Sequence, residues 1–290
     1  MELHPLRPFL LVATERSFSR AAEKLLRTQP AVSLSIQRLE DELGDKLIDR
    51  SAKDIILTAA GRITLEYAKR FENMQADLEN ALAELRDKKA GRLTIGANES
   101  STLYLLDIID KFRKQFPKVR VQIRRSQSSK IPAQILDGEL ELGIVTYDPE
   151  DDRLNSQVIF TDHLAFIVSP QHRLAKQKSI SITELGAETF IAHNVVSPYR
   201  AQVIRAFQQH KVPLHMDVEM PTIESIRKMV ERNEGVAFLP RMCVEHEVRH
   251  GFLKEVKVKE LAVERQIRLL YPARRAVSHA AQAFLEVVGK

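Results

Sequence analysis

Residues 17–40 read Ser17-Phe18-Ser19-Arg20-Ala21-Ala22-Glu23-Lys24-Leu25-Leu26-Arg27-Thr28-Gln29-Pro30-Ala31-Val32-Ser33-Leu34-Ser35-Ile36-Gln37-Arg38-Leu39-Glu40. The apolar spacing predicts two short helices joined by a tight Leu26-Arg27-Thr28 connection, a helix-turn-helix. Thr28 offers an N-cap to the second helix. Pro30 sits in its first turn, where a missing N–H costs little. Val32, Ile36, Leu39 and Leu43 recur at spacings of 4, 3 and 4, so that face is expected in a core, and Gly44 ends the helix in a left-handed conformation. Gln29, Ser33 and Gln37 then share the opposite face at i, i+4, i+8. Short hydroxyls and amides approach base edges closely, and Gln pairs bidentately with adenine. The free N–H groups at Thr28 favour a phosphate. On spacing alone, a solvated surface face explains these residues as well as DNA does.

Leu3, Leu6, Phe9, Leu10 and Ala13 form a helical apolar stripe before this stretch. After it, Leu47-Ile48-Asp49 and Ile55-Ile56-Leu57 are β-prone runs around a polar turn, with Lys53 at the tip, placed like a wing on the DNA backbone. Residues 59–89 read as one long helix capped by Thr58, about 45 Å long. Tyr67, Phe71, Met74, Leu78, Ala81 and Leu85 follow the spacing of a heptad seam, which favours pairing with a second copy over a core helix of one domain. From about residue 92, strands and helices alternate, the sign of parallel α/β layers.

Composition narrows the class. The 290 residues are enough for two or three domains, and 44% hydrophobic with 29% charged residues is ordinary for a globular chain. No apolar run approaches the roughly 18–20 residues of a membrane helix. Glu2, Pro5, Arg7 and Pro8 do not suit a signal peptide. The single Cys243 excludes an internal disulfide and a two-cysteine switch, which fits a cytoplasmic location. The net charge of +5 suggests nucleic acid only superficially. Residues 1–58 hold nine Lys or Arg against nine acids, residues 59–90 six against six, and residues 91–290 carry the whole surplus, 29 against 24. A DNA contact must therefore rest on the arrangement of side chains.

The sequence resembles the LysR-type transcriptional regulators. The matching residues are the Phe9 helix, Ser17-Phe18-Ser19-Arg20-Ala21-Ala22, Gln29-Pro30-Ala31-Val32-Ser33, Ile36, Leu39-Glu40, Leu43-Gly44, Leu47, Arg50 and Leu57-Thr58-Ala59-Ala60-Gly61. Leu34-Ser35 departs from the more basic or polar pair common there. A weaker likeness continues through Gly91-Arg92-Leu93-Thr94-Ile95-Gly96, Phe116-Pro117, Leu136 to Ile144 and Gly235 to Pro240.

The resemblance implies a winged helix-turn-helix over residues 1–58, a dimerising linker helix over 59–89 and a two-lobed α/β effector domain over 90–290. The last is of the type 2 periplasmic-binding-protein kind, with lobe one at about 91–161 and 267–290 and lobe two at about 162–266. Ser19, Arg20, Thr28, Gln29, Pro30, Ser33, Gln37, Arg38 and Lys53 would contact double-stranded promoter DNA. The implied assembly is a homodimer or homotetramer that changes DNA bending when a small-molecule co-inducer enters the cleft, with RNA polymerase as a further partner. No cofactor, no metal and no enzymatic step are implied.

Ligands of open α/β sheets bind beyond strand carboxyl ends, at helix N-termini. By that rule Ser100, Ser101, Thr102, Ser128, Thr146, Ser197 and Thr222 are the expected effector contacts. Their hydroxyls suit a small carboxylate or other anion, although Ser and Thr are also ordinary N-caps. Ser100 is expected to cap its helix. His246-Glu247-Val248-Arg249-His250 is a literal His-Glu-x-x-His stretch, the zinc-protease pattern. Gly251 would end that helix at once and Lys254 stands where a third histidine would be, leaving Glu264 as a distant ligand; the resemblance makes it a surface helix. A solute-binding module without DNA function would leave residues 1–58 and the heptad seam idle. For an enzyme, no Ser-His-Asp grouping, P-loop or dinucleotide fingerprint stands out.

Overall fold

The computed structural model describes residues 5–49, 54–86, 90–195 and 197–289. They form two compact units, one of the residues up to 86 together with 137–139 and one of the remaining residues from 90 onward.

The first unit opens with α1 (Leu6–Glu15), α2 (Phe18–Leu25) and α3 (Gln29–Leu43). Phe9, Val12, Ala21, Val32, Ile36, Leu39 and Leu47 are completely buried in one cluster. Each large side chain so buried contributes about 1.5–3 kcal/mol. Ser17 caps α2, its Oγ accepting the Arg20 N–H at 3.2 Å. Arg16 and Leu26 adopt left-handed conformations at the two helix ends and turn the chain there. Leu43 does not join the core: it is 37% exposed. Gly44 stops α3 one residue later, and Leu47 closes the core in its place.

β1 (Ile48–Asp49) and β2 (Ile56–Leu57) pair antiparallel, Ile48 opposite Leu57. The expected wing-tip Lys53 lies outside the described residues. The buried Glu40 ties the hairpin to α3: its Oε1 accepts the Leu47 N–H at 2.9 Å and the Ile48 N–H at 3.2 Å, and Lys46 Nζ lies 3.2 Å from Oε2.

Next comes α4 (Ala59–Arg86). Thr58 Oγ accepts the Gly61 N–H at 2.9 Å and donates to the Lys46 carbonyl at 2.6 Å. Gly61 is required by a close approach, since a Cβ there would stand 2.0 Å from the Leu47 carbonyl oxygen. Ala68, Leu65 and Phe71 pack on the helix-turn-helix core. The first turns of α4 thus belong to that domain, and Phe71 faces its core more than the seam. Tyr67, Met74, Leu78 and Leu85 are 53–73% exposed, with Ala81 exposed beside them.

The second unit contains β3 (Ala90–Ala97), α5 (Glu99–Gln115), β4 (Lys118–Arg125), α6 (Ile131–Leu136), β5 (Leu142–Val145), β6 (Leu154–Val168), β7 (Ser179–Ile180), β8 (Thr189–His193) and α7 (Pro198–Gln209). It continues with β9 (His215–Met220), α8 (Ile223–Glu231), β10 (Ala237–Pro240), α9 (Glu245–Arg249), β11 (Lys254–Glu255), β12 (Lys257–Val258), β13 (Glu264–Pro272) and α10 (His279–Val288).

The expected parallel pattern holds for some strands of each lobe, and every pairing made by the two crossover strands breaks it. β3 is parallel to β4 and β5, and β8 to β9. β13 is antiparallel to both β5 and β6, and β10 and β11 are antiparallel to β6. The reason is topological: the chain crosses from one lobe to the other on β6 and returns on β13, so the two crossovers run in opposite directions. The sheet order β10-β6-β13-β5-β3-β4 is therefore mixed and spans both lobes. Leu93, Ile95, Leu105, Phe112, Ile144 and Phe284 centre one lobe. Phe166, Phe190, Phe207 and Val236 centre the other. No described helix is long and apolar enough to cross a membrane.

Candidate nucleic-acid interface and effector cleft

In α3, burial of Val32, Ile36 and Leu39 turns Gln29, Pro30, Gln37 and Arg38 outward as exposed residues, with Ser33 half-buried on the same side. Thr28 occupies the N-cap position but its side chain caps nothing. The first-turn N–H groups therefore have no side-chain acceptor there and remain suited to a phosphate. Ser19 and Arg20 are exposed at the start of α2. Arg20 also donates from Nη2 to the Glu15 carbonyl at 2.6 Å, and Lys24 pairs with the Glu15 carboxylate at 2.6 Å. Arg20 thus braces the α1 end as well as reaching solvent.

In the second unit, the residue that caps α5 is Asn98, not Ser100. Asn98 Oδ1 accepts the Ser101 N–H at 2.8 Å and the Ser100 hydroxyl at 3.0 Å, while its Nδ2 donates to Ser128 Oγ at 2.8 Å. One amide thereby brings Ser100, Ser101 and Ser128 together. Thr102 joins them with its hydroxyl committed to the Asn98 carbonyl at 2.8 Å. Ser101 Oγ is buried and has no partner among the described residues.

Arg265 of β13 lies beneath this cluster. Its Nη2 donates to Ser100 Oγ at 3.1 Å and its Nη1 to Asp162 Oδ2 at 3.0 Å. Its guanidinium stacks against the Tyr199 ring, 5.0 Å from the centroid. The Tyr199 hydroxyl donates to the Thr146 carbonyl. Ser197 opens α7 but spends its Oγ on the Arg200 N–H at 3.2 Å. Thr222 caps α8 through the Ser225 N–H at 3.1 Å. The first free amide of α8, Ile223 N–H, is taken by Glu99 Oε1 at 2.8 Å.

Ser100, Ser101, Thr102 and Ser128 are therefore gathered around Asn98, and Ser100, Thr146 and the Ile223 amide beside Thr222 are tied to residues of the other lobe, but most of their donors are already engaged. Sequence reasoning missed Asn98, Glu99, Asp162, Tyr199 and Arg265. Asn98 carried a legible signal, an N-cap residue directly after a strand. Arg265 and Asp162 carried none, because their pairing spans 103 positions.

Cys243 is buried, and burial pushes its thiol up to about 12. It is a neutral packing group at physiological pH. The His-Glu-x-x-His stretch forms only the five-residue α9, with His250 just past its end. The His246 and His250 ring centroids lie 4.2 Å apart with the rings tilted by 33°, and Glu247 is held by Arg227 Nη1 at 2.6 Å. No group of three or more metal-capable side chains occurs among the described residues.

A helix-turn-helix followed by a two-lobed domain whose lobes are joined by two antiparallel strands is the architecture of a DNA-binding regulator with a substrate-binding-type domain. The bacterial regulatory helix-turn-helix of the lysR family matches residues 3–62, and the LysR substrate binding domain matches residues 86–290. A probable RuBisCO transcriptional regulator of Cyanophora paradoxa is 30% identical over 293 residues, covering 99% of this chain and 90% of that protein. The chain belongs to the LysR family of transcriptional regulators, which are not enzymes.

Full-length CbnR complexed with its target DNA shares the fold at a TM-score of 0.78 and 18% identity, over 100% of this chain and 99% of that one. The Synechocystis CcmR regulatory domain in complex with 2-PG gives a TM-score of 0.62 at 24% identity, over 68% of this chain and 95% of that one.

Proposed function

We propose that this chain is a cytoplasmic, promoter-specific regulator whose α3 reads base edges and whose interlobe cleft admits a small anionic effector. The N-terminal domain over 1–58, the linker helix over 59–89 and the effector domain over 90–290 divide those tasks. Ser19, Arg20, Thr28, Gln29, Pro30, Ser33, Gln37 and Arg38 form the DNA face. Ser100, Ser101, Thr102, Ser128, Thr146, Ser197 and Thr222 surround the effector. Copies pair along the α4 seam into dimers and, through further contacts, tetramers, and the bound promoter complex engages RNA polymerase.

The observation that carries this reading is Ser101. Its fully buried Oγ lacks a partner at the N-terminus of α5, beside the Ser100–Arg265 contact that joins the lobes. A buried hydroxyl left unpaired costs about 1–3 kcal/mol, which a ligand acceptor would recover. Exposure of the seam in the single chain supports the pairing. The ligand named for CcmR supports including 2-PG among the compounds tested.

The test is a thermal-shift screen of small metabolites on the full chain, followed by anisotropy on its own upstream promoter. A binder should raise the melting temperature by mass action. Ser101→Ala should abolish the effector response while leaving operator affinity unchanged. Sequence-indifferent, salt-sensitive DNA binding would overturn the regulatory reading.

A further inference from the structure

We propose that Glu99 is an interlobe latch: its carboxylate occupies the anion subsite at the start of α8, and an effector opens the latch by displacing it with an anionic group of its own. The inference rests on the reading of the cleft as the effector site. Glu99 is the first residue of α5, in the first lobe. Its Oε1 accepts the Ile223 N–H of the second lobe at 2.8 Å. Its Oε2 faces His193 Nε2, also of the second lobe, at 3.5 Å, and Arg125 Nη2 of its own lobe at 3.3 Å. His193 Nδ1 accepts the Val195 N–H at 3.1 Å, so the ring proton sits on Nε2, directed at the carboxylate.

The chemistry of this subsite is that of an anion. It offers a helix-terminal N–H with its dipole, an imidazole N–H and a guanidinium, and a carboxylate fills it now. Thr222 Oγ and Ser225 Oγ lie 2.8 Å apart beside that amide. A carboxylate or phosphate arriving from solvent satisfies the same donors without belonging to the other lobe. The tie between α5 and α8 is then lost, and the lobes are released to move about β6 and β13. Effector affinity is accordingly reduced by the need to displace Glu99, and the same competition couples occupancy to conformation.

The experiment uses the full chain as wild type, Glu99→Ala and Glu99→Gln. Hydrogen exchange at Ile223 and thermal melting are each read with and without malonate or inorganic phosphate. In Glu99→Ala, Ile223 should exchange faster by about tenfold or more, as expected for a helix amide released from its acceptor. Malonate or phosphate should restore protection and raise the melting temperature in that variant, at concentrations that leave the wild type unmoved. Glu99→Gln keeps the shape and an acceptor, so it should fold like the wild type and show an intermediate anion response.

Ile223 exchange identical in wild type and Glu99→Ala would overturn the latch. So would an equal response of both proteins to the anions. Neither readout uses an effector. A latch that fails therefore leaves the metabolite screen to judge the effector reading by itself, and an empty screen does not alter the latch measurement.

Discussion

Arg265 and Asp162 stand directly opposite each other on the two crossover strands, their side chains 3.0 Å apart and only 4% and 3% exposed. Two buried charges are tolerated when each is satisfied by the other and by further partners. Here Ser100 Oγ takes the second Arg265 amino group and the Met242 N–H, at 3.3 Å, adds to the carboxylate, while the buried Arg265 Nε has no partner among the described residues. Removing one member strands the other in a dry environment. Asp162→Ala or Arg265→Ala should therefore cost about 3–5 kcal/mol, read by urea unfolding. Replacing both by apolar residues of similar volume should recover much of that loss. A single-site cost below 1 kcal/mol would contradict the assignment, taking roughly that value as the exposed-pair limit.

Cys243 makes stability depend on alkaline pH. Its folded thiol titrates at about 12, above the ordinary value of 9.0. Between those two values the unfolded chain loses the proton and the folded chain keeps it. Stability should thus fall by about 1.4 kcal/mol for each pH unit above 9, and show no such slope below it. The slope is isolated as the difference between wild type and Cys243→Ala. At pH 8 the native thiol should be inert to a thiol reagent and become reactive on unfolding.

Two glycines should separate by mechanism. Gly61→Ala drives a Cβ into the Leu47 carbonyl, which can yield only if the hairpin moves away from α4. About 1–3 kcal/mol of lost stability is expected from such overpacking. Gly44 has open space around it but a φ of +75°. Gly44→Ala should cost only the left-handed penalty, about 1–2 kcal/mol, with DNA binding retained. Thermal melting and promoter titration distinguish them.

On the recognition face, Gln29→Ala and Ser33→Ala should each weaken specific operator binding by about 1–3 kcal/mol per lost base contact, with the salt slope unchanged. Unaltered operator affinity would show that this face does not read bases. Arg38→Ala, if the residue meets a phosphate, should reduce the salt slope by about one and weaken all sequences alike.

Along α4, if copies pair along the proposed seam, Leu78→Glu should dissociate them without unfolding either unit, because Leu78 is 60% exposed in the single chain. Sedimentation of the variant as an unchanged dimer would remove Leu78 from the interface. Phe71→Ala should instead destabilise the helix-turn-helix core against which it packs.

Local rules reach far in the first unit because its contacts are close in sequence. Gly44 as a stop and the burial of Val32, Ile36 and Leu39 follow from spacing. The misplacement of Leu43 came from extending a periodicity one turn past the body it covers. Residue type alone makes Thr28 a cap, but its side chain accepts no first-turn amide. In the second unit, residue type favours Ser100 as the cap because it is a serine near a helix start. Asn98, two positions earlier, satisfies the same amides with a longer reach.

By itself, the sequence determined the helix-turn-helix, the hairpin, the long α4 helix and the alternation of strands and helices, since periods of 3.6 and 2 are written in nearest neighbours. Only the tertiary structure decided which hydroxyls still lack partners, that Arg265 links both lobes, and that Glu99 already holds the α8 amide. Those outcomes depend on contacts spanning 103, 165 and 124 positions. No local preference encodes a pairing whose partners meet only after two lobes have formed and the chain has crossed between them twice.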